Sequence, residues 1–252
     1  MNNTKRKLLN NTKVIGTFVT LNSLEVVQIL SNVGYDYLVI DYEHGAMGLE
    51  TLGQQVLIAN GTNTTPIVRI PYNNVENVKK VLDAGANGIM VPMIKTADDV
   101  KKFIEYSNFP PVGNRGCGAT RANNFYTKAQ EYFEFEKTEI LRIIQIETKE
   151  AVENIDEILS VDGVDVAFIG PYDLSYALGV PGDVQGPVVS KAIKKISEAG
   201  KRNDVKLGIM SNMNQLETHM NLGIDFILLG LDGALLYSAA ANDINEFKSI
   251  LK

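Results

Sequence analysis

Eight short apolar runs, nearly all followed by a stretch with helical spacing, recur along the chain, and this alternation limits the fold more than any single motif. The runs are VIGTFV from Val14, YLVID from Tyr37, PIVRI from Pro66, GIMVP from Gly88, LRIIQIE from Leu141, VDVAFIG from Val164, KLGIM from Lys206 and FILLG from Phe226. Between them lie helical patterns such as SLEVVQILSNVG, NNVENVKKVLDAG and VVSKAIKKISEAG, and ALLYSAAANDINEFKSILK closes the chain. A strand that feeds a helix and then another strand makes a parallel pair, so the repeat specifies a parallel sheet with helices outside it. Eight such units in 252 residues predict an α/β chain folded as a (β/α)8 TIM barrel. A doubly wound open sheet is the alternative. Gly34, Gly85, Gly200 and Gly223 each stand between a helical pattern and a strand, where a C-cap glycine is expected. No Gly/Ser linker or low-complexity run divides the sequence, so residues 1–252 are expected to form a single domain.

Composition excludes several function classes. The 45% apolar content supports a large core, and no window approaches the roughly 18 to 20 apolar residues of a membrane span. With 24 Lys and Arg against 30 Asp and Glu, the net charge of −6 weighs against nucleic acid or an anionic membrane as partner. A single cysteine, Cys117, rules out an intrachain disulfide and suits a reducing compartment. The basic N-terminus precedes only a short apolar stretch broken by Gly16, Thr17 and Thr20, a poor signal peptide. The expectation is a cytoplasmic protein.

The strand ends carry the chemistry. In RIIQIE, side-chain alternation puts Gln145 and Glu147 on one face and Ile144 and Ile146 on the other. The run VDVAFIG leads through PYD to Asp173, the second strand runs out through Asp41, Tyr42, Glu43 and His44, and the third carries Arg69. In a barrel these ends open on one face, so residues remote in sequence converge. Two carboxylates, Glu147 and Asp173, form a hard-oxygen pair suited to Mg2+ or Mn2+; as isolated residues they read equally as solvated caps, Asp173 before a helix starting at Leu174. His44, three residues beyond Asp41, is a candidate acid–base group whose imidazole Asp41 would orient. Arg69, on an apolar strand, needs an anion or a partner such as Asp41 or Glu43. His219 reads as a surface helix residue. No lysine is well placed for a Schiff base, and GNRGCG (Gly113 to Gly118) lacks the ending of a phosphate loop.

The segments VIDYEHGAM, IVRIP, GIMVPMIKTADDV, FPPVGNRGCG, IIQIETKEAVENIDEIL and VDVAFIGPYDLS resemble the HpcH/HpaI aldolase family, the metal-dependent pyruvate aldolases. The likeness runs from about Val14 to the last strand. It implies a divalent metal (Mg2+, Mn2+ or Co2+) on Glu147 and Asp173. It implies that Arg69 contacts a keto oxygen and that His44 with Asp41 handles the proton. By the same likeness the backbone after Gly170, through Pro171 and Tyr172, receives the substrate carboxylate; Gln145, on the face it shares with Glu147, is expected to border the substrate. The implied reaction joins or splits a 2-oxo acid and an aldehyde in a homo-oligomer, hexamer or trimer. Tyr42 departs from the small or aliphatic residue usual between Asp and Glu. The loop from Phe109 to Tyr126 carries Arg115 and Arg121, and reads either as a loop whose Arg115 reaches a neighbouring subunit's active face or as a basic loop at an interface or in water. Rival readings are a CoA-thioester lyase, which needs a basic groove, a glycosidase using the two carboxylates, which the absence of Trp disfavours, and a catalytically idle barrel.

Overall fold

The computed structural model describes residues 2–251. Strands β1 (Val14–Val19), β2 (Tyr37–Asp41), β3 (Thr65–Arg69), β4 (Gly88–Val91), β5 (Leu141–Ile146), β6 (Val166–Ile169), β7 (Lys206–Ser211) and β8 (Phe226–Leu231) pair in parallel with their chain neighbours. β8 returns to β1 and closes the barrel, as the repeat predicts. The helices are α1 (Asn3–Leu9), α2 (Leu24–Val33), α3 (Leu49–Asn60), α4 (Val75–Asp83), α5 (Ala97–Ser107), α6 (Ala129–Glu139), α7 (Lys149–Glu153), α8 (Ile155–Leu159), α9 (Pro171–Ala177), α10 (Pro187–Asn203), α11 (Leu216–Asn221) and α12 (Asp232–Ile250). Among the described residues no helix is long and apolar enough to cross a membrane.

Strand parity sorts the core into two shells. Leu141 and Ile143 face the barrel interior with Tyr37, Ile67, Met90, Phe168 and Phe226, while Ile144 and Ile146 pack outward beneath the helices. The interior is filled by rings: Tyr37 stacks on Phe226 at 3.9 Å between centroids, and its hydroxyl donates to the Ile227 carbonyl at 2.6 Å. Gly16 makes room for that pair, since a Cβ there would stand 2.3 Å from the Tyr37 ring.

Helix α1, absent from the sequence pattern, closes the lower end of the barrel. Asn2 caps it by accepting from the Lys5 N–H at 3.0 Å and donates to the carbonyls of Asn87 and Glu139, both at 2.9 Å. Thr4 Oγ1 bonds Thr65 Oγ1 at 2.8 Å, and Lys5 pairs with Asp165 at 2.9 Å. The N-terminal basic residues thus serve the barrel floor, which leaves the opposite, C-terminal rim for function.

Two expectations need correction. Gly34 and Gly223 do turn with positive φ, 107° and 88°, but Gly200 lies inside α10, and Asp204 takes the left-handed cap with φ 54°. Gly200 is there for packing, because a Cβ would meet the Leu207 side chain at 2.8 Å. His219 is buried, not a surface residue: its Nδ1 meets Ser211 Oγ at 2.8 Å, and burial lowers its pKa. The helix after Glu147 breaks in two at Asn154, whose amide donates to the Lys95 carbonyl at 3.0 Å.

Candidate active site

Arg69 and Asp41 are the last residues of adjacent strands and lie opposite each other in the β2–β3 register. Both face the barrel axis, so the guanidinium meets the carboxylate side on: Nε donates to Oδ1 at 2.9 Å and Nη2 to Oδ2 at 2.7 Å. Glu43 adds a third contact, 3.3 Å from Nε. Phe18 of β1 lies under the cation, 4.6 Å from ring centroid to Cζ. Burial works against the arginine's charge, but the hydrogen bond and charge of Asp41, then Glu43, raise its pKa above the usual value. The pair is a bidentate, desolvated anchor. It leaves Nη1 directed to no protein acceptor among the described residues, at a cavity of ≈ 60 Å³ lined by Arg69, Gln145, Phe168, Gly170, Asp173 and Met210.

The opposite wall is built by β5. Gln145 and Glu147 share a face, as parity requires, and the Gln145 amide donates to Glu147 Oε2. The second oxygen of Glu147 accepts from the Met93 backbone N–H at 2.7 Å. Met93 adopts φ 56°, a left-handed conformation uncommon outside glycine, and this turn after β4 supports the N–H that holds the carboxylate. Gly170 presses against the same pair: a Cβ would stand 3.0 Å from Gln145 Nε2 and 3.0 Å from Glu147 Oε2.

Burial pushes the Glu147 carboxyl up to about 7, the Met93 N–H opposes this, and the charges of Asp173 and Glu43 add to it. A buried carboxylate with two further carboxylates near it is stabilised in its charged form by an adjacent cation, and Arg69 supplies only the smallest of the influences on it. Gln145 Oε1 is also buried without a partner. Among the described residues no three His, Cys, Asp or Glu side chains form a ready metal cage. Glu147 and Asp173 offer two hard oxygen donors, a set of the kind that suits a divalent ion whose remaining positions are filled by water or substrate oxygens.

Asp173 sits in the first turn of α9, which begins at Pro171 and not at Leu174. Pro171 has no N–H, so of the residues after Gly170 only Tyr172 and Asp173 offer free first-turn donors. Ser175 anchors this turn, donating to the Tyr172 carbonyl at 2.6 Å and accepting from the Gly182 N–H at 2.9 Å.

His44 is placed differently from the expectation. Asp41 does not touch its ring; the carboxylate is engaged by Arg69 and accepts the backbone N–H of Glu43 and His44 at 3.1 and 3.2 Å. The imidazole Nε2 instead lies 3.7 Å from Glu43 Oε2, with the side chain 70% exposed. Glu43 thus links His44 to Arg69, a role the sequence did not reveal. Arg115 is also corrected. Its guanidinium is buried within this chain, bonded to Asp83 at 2.8 Å and to the Tyr132 hydroxyl at 3.0 Å, above Phe109, so it holds the loop to α4 and α6 and is not an exposed group.

Residues 14–239 match the family described as HpcH/HpaI aldolase/citrate lyase. The 4-hydroxy-2-oxo-heptane-1,7-dioate aldolase of Shigella flexneri is 34% identical over 231 residues, covering 90% of this chain and 85% of that protein. The 2-keto-3-deoxy-L-rhamnonate aldolase of Klebsiella pneumoniae is 34% identical over 251 residues, 97% of this chain and 92% of that protein. The crystal structure of a family protein from Burkholderia cenocepacia superposes with a TM-score of 0.94 at 30% identity, over 98% of this chain and 100% of that one.

Proposed function

The chain belongs to the HpcH/HpaI aldolase/citrate lyase family, and from that membership we propose that it is a class II aldolase, a carbon–carbon lyase that cleaves or forms 4-hydroxy-2-oxo acids to give pyruvate and an aldehyde. The observation that carries this reading is the Arg69 guanidinium, clamped on one edge by Asp41 and free on the other, lining the same small cavity as Gln145 and Asp173. A divalent ion held by Glu147 and Asp173 would supply Lewis-acid stabilisation of charge at the C2 oxygen of the substrate.

The residues divide the remaining work. Arg69 donates to the C2 oxygen, where negative charge grows as the enolate forms, and its rigid pairing removes the need to reorganise during reaction. Asp41 acts through Arg69 as a positioning residue. The Tyr172 and Asp173 N–H groups receive the substrate carboxylate beside Gly170 and Pro171. The Gln145 amide steadies Glu147, and its free oxygen accepts a donor from substrate or water. His44 removes the C4 hydroxyl proton. The C3–C4 bond then breaks, its electron pair moves into the C2–C3 enolate, the aldehyde departs, and protonation at C3 gives pyruvate. The reading extends to a single-domain, cytoplasmic homo-oligomer, trimer or hexamer.

The test is pyruvate release from 4-hydroxy-2-oxo acids, coupled to a dehydrogenase, on chelator-treated protein with and without Mg2+, Mn2+ or Co2+. Activity restored by one of these ions is the expected result. Turnover indifferent to chelation overturns the metal-dependent reaction, and no turnover with any ion overturns the aldolase reading.

A further inference from the structure

The loops after β2, β3 and β4 enclose a second cavity beside the candidate site, of ≈ 250 Å³, which the residue roles proposed for the reaction do not use. It shares walls with the site. Glu43, which borders it, stands 3.3 Å from Arg69 Nε and 3.7 Å from His44 Nε2. Met93 borders it too, and the Met93 N–H holds Glu147 at 2.7 Å. A water takes up about 30 Å³ in the liquid, so the space admits a short chain and not only a trapped solvent molecule.

The direction of the substrate leads to this cavity. In the proposed reaction C1 lies against the first turn of α9, beyond β6, C2 lies at Arg69 on β3, and the C4 hydroxyl meets His44, beyond β2. Strands β6 and β2 stand opposite each other in the closed ring of eight. The chain therefore crosses the barrel mouth, and whatever follows C4 arrives at the wall that Glu43 forms.

The polar atoms of the cavity specify what that tail must carry. Asn73 lines it, and its amide is fixed: Nδ2 donates to the Asp99 carbonyl of α5 at 2.8 Å, which leaves Oδ1 buried with no donor. A buried oxygen of this kind costs free energy until a donor reaches it. The Glu43 carboxylate is a second acceptor on the wall. The Asp99 carboxylate is already taken, by the N–H groups of Lys95 and Thr96 at 3.2 and 3.0 Å and the Thr96 hydroxyl at 2.9 Å. Lys102, three residues further along α5, is the cation of the lining. A hydroxyl satisfies both kinds of group at once, since it donates to Asn73 Oδ1 and accepts from Lys102 Nζ. A carboxylate has no proton for Oδ1 and meets the like charge of Glu43, and an alkyl tail satisfies neither.

We propose that Asn73 and Lys102 form a distal subsite that selects an aldehyde hydroxylated beyond its carbonyl carbon over one with an alkyl or a carboxylate tail. This rests on the aldolase reading, and the experiment separates the two. Deuterium uptake from D2O into the pyruvate methyl group, followed by mass spectrometry with Mg2+, Mn2+ or Co2+ present, reports enolate formation without any aldehyde. Its absence with every ion overturns the aldolase reading and the subsite with it.

Where uptake occurs, condensation of pyruvate with glyceraldehyde, propanal and succinate semialdehyde tests the subsite alone. Native protein is expected to give its highest kcat/KM with glyceraldehyde; a preference for either of the others overturns the subsite. Asn73→Ala and Lys102→Met are each expected to lower the ratio of kcat/KM for glyceraldehyde to that for propanal on the order of tenfold, mainly through KM. Intrinsic reactivity of the two aldehydes cancels when variant and native protein are compared. Lys102 is exposed, so Lys102→Met decides the matter even where Asn73→Ala unsettles the loop after β3. An unchanged ratio in Lys102→Met, or in a folded Asn73→Ala, overturns the subsite while deuterium uptake leaves the aldolase reading standing.

Discussion

The two sides of the candidate site obey different physics. On the strand side, Asp41, Arg69, Gln145 and Glu147 are buried, and almost every polar atom is engaged by a neighbour set by sheet register. On the loop side, His44 and Asp173 are exposed, and His44 has one long contact, to Glu43. On the proposed reading the strand side fixes an electrostatic field before substrate arrives, and the loop side supplies the groups that exchange protons and ligands. Substitutions on the first side should therefore disturb fold and activity together, and those on the second should disturb activity alone.

Arg69→Ala gives the largest expected effect. It removes the proposed donor to the C2 oxygen, a loss on the order of 10³-fold in kcat. It also leaves Asp41 buried without its partner, which costs about 3–5 kcal/mol of stability. Coupled assays and urea unfolding on the same preparation test both. A variant that loses activity with unchanged stability would show that the Asp41 pair contributes nothing to the fold and would break the comparison.

His44→Ala tests the other side. Kinetics should show turnover falling on the order of 10²-fold, while stability stays within about 0.5 kcal/mol because the ring is exposed. If Glu43 conducts charge between His44 and Arg69, Glu43→Gln should shift the pH profile of kcat while His44 is intact and do little once His44 is alanine. A profile that moves equally in both backgrounds separates Glu43 from the histidine.

What the sequence disclosed followed the same division. Period-two alternation put Gln145 and Glu147 on one face, and the βα repeat gave the closed barrel, because both depend on local spacing. The Asp41–Arg69 pair was within reach as well: both end neighbouring strands with the same inward parity, so strand order alone makes them adjacent. Met93 was not legible, since it contributes a backbone N–H and its side chain plays no part in that bond. Arg115 misled because its partners, Asp83 and Tyr132, lie 32 and 17 residues away and meet it only in the folded chain.

A last effect isolates the buried carboxylate. Burial first, then Asp173 and Glu43, raise Glu147 from an ordinary 4.5 to about 7. Between those values the metal-free folded protein holds a proton that the unfolded chain has released. The contribution of this group to stability is therefore full below about 4.5 and is lost as pH rises through about 7, on the order of 3 kcal/mol at most. Thermal melts of chelated protein from pH 5 to 8 should show this decline, and Glu147→Gln, which cannot ionise, should flatten it. A divalent ion added to the native protein should flatten it too, because an adjacent cation favours the carboxylate and binds only the folded state. Should the chelated native protein and Glu147→Gln trace the same curve, the burial of Glu147 exacts no cost, and the strand side is no more electrostatically poised than the loops around it.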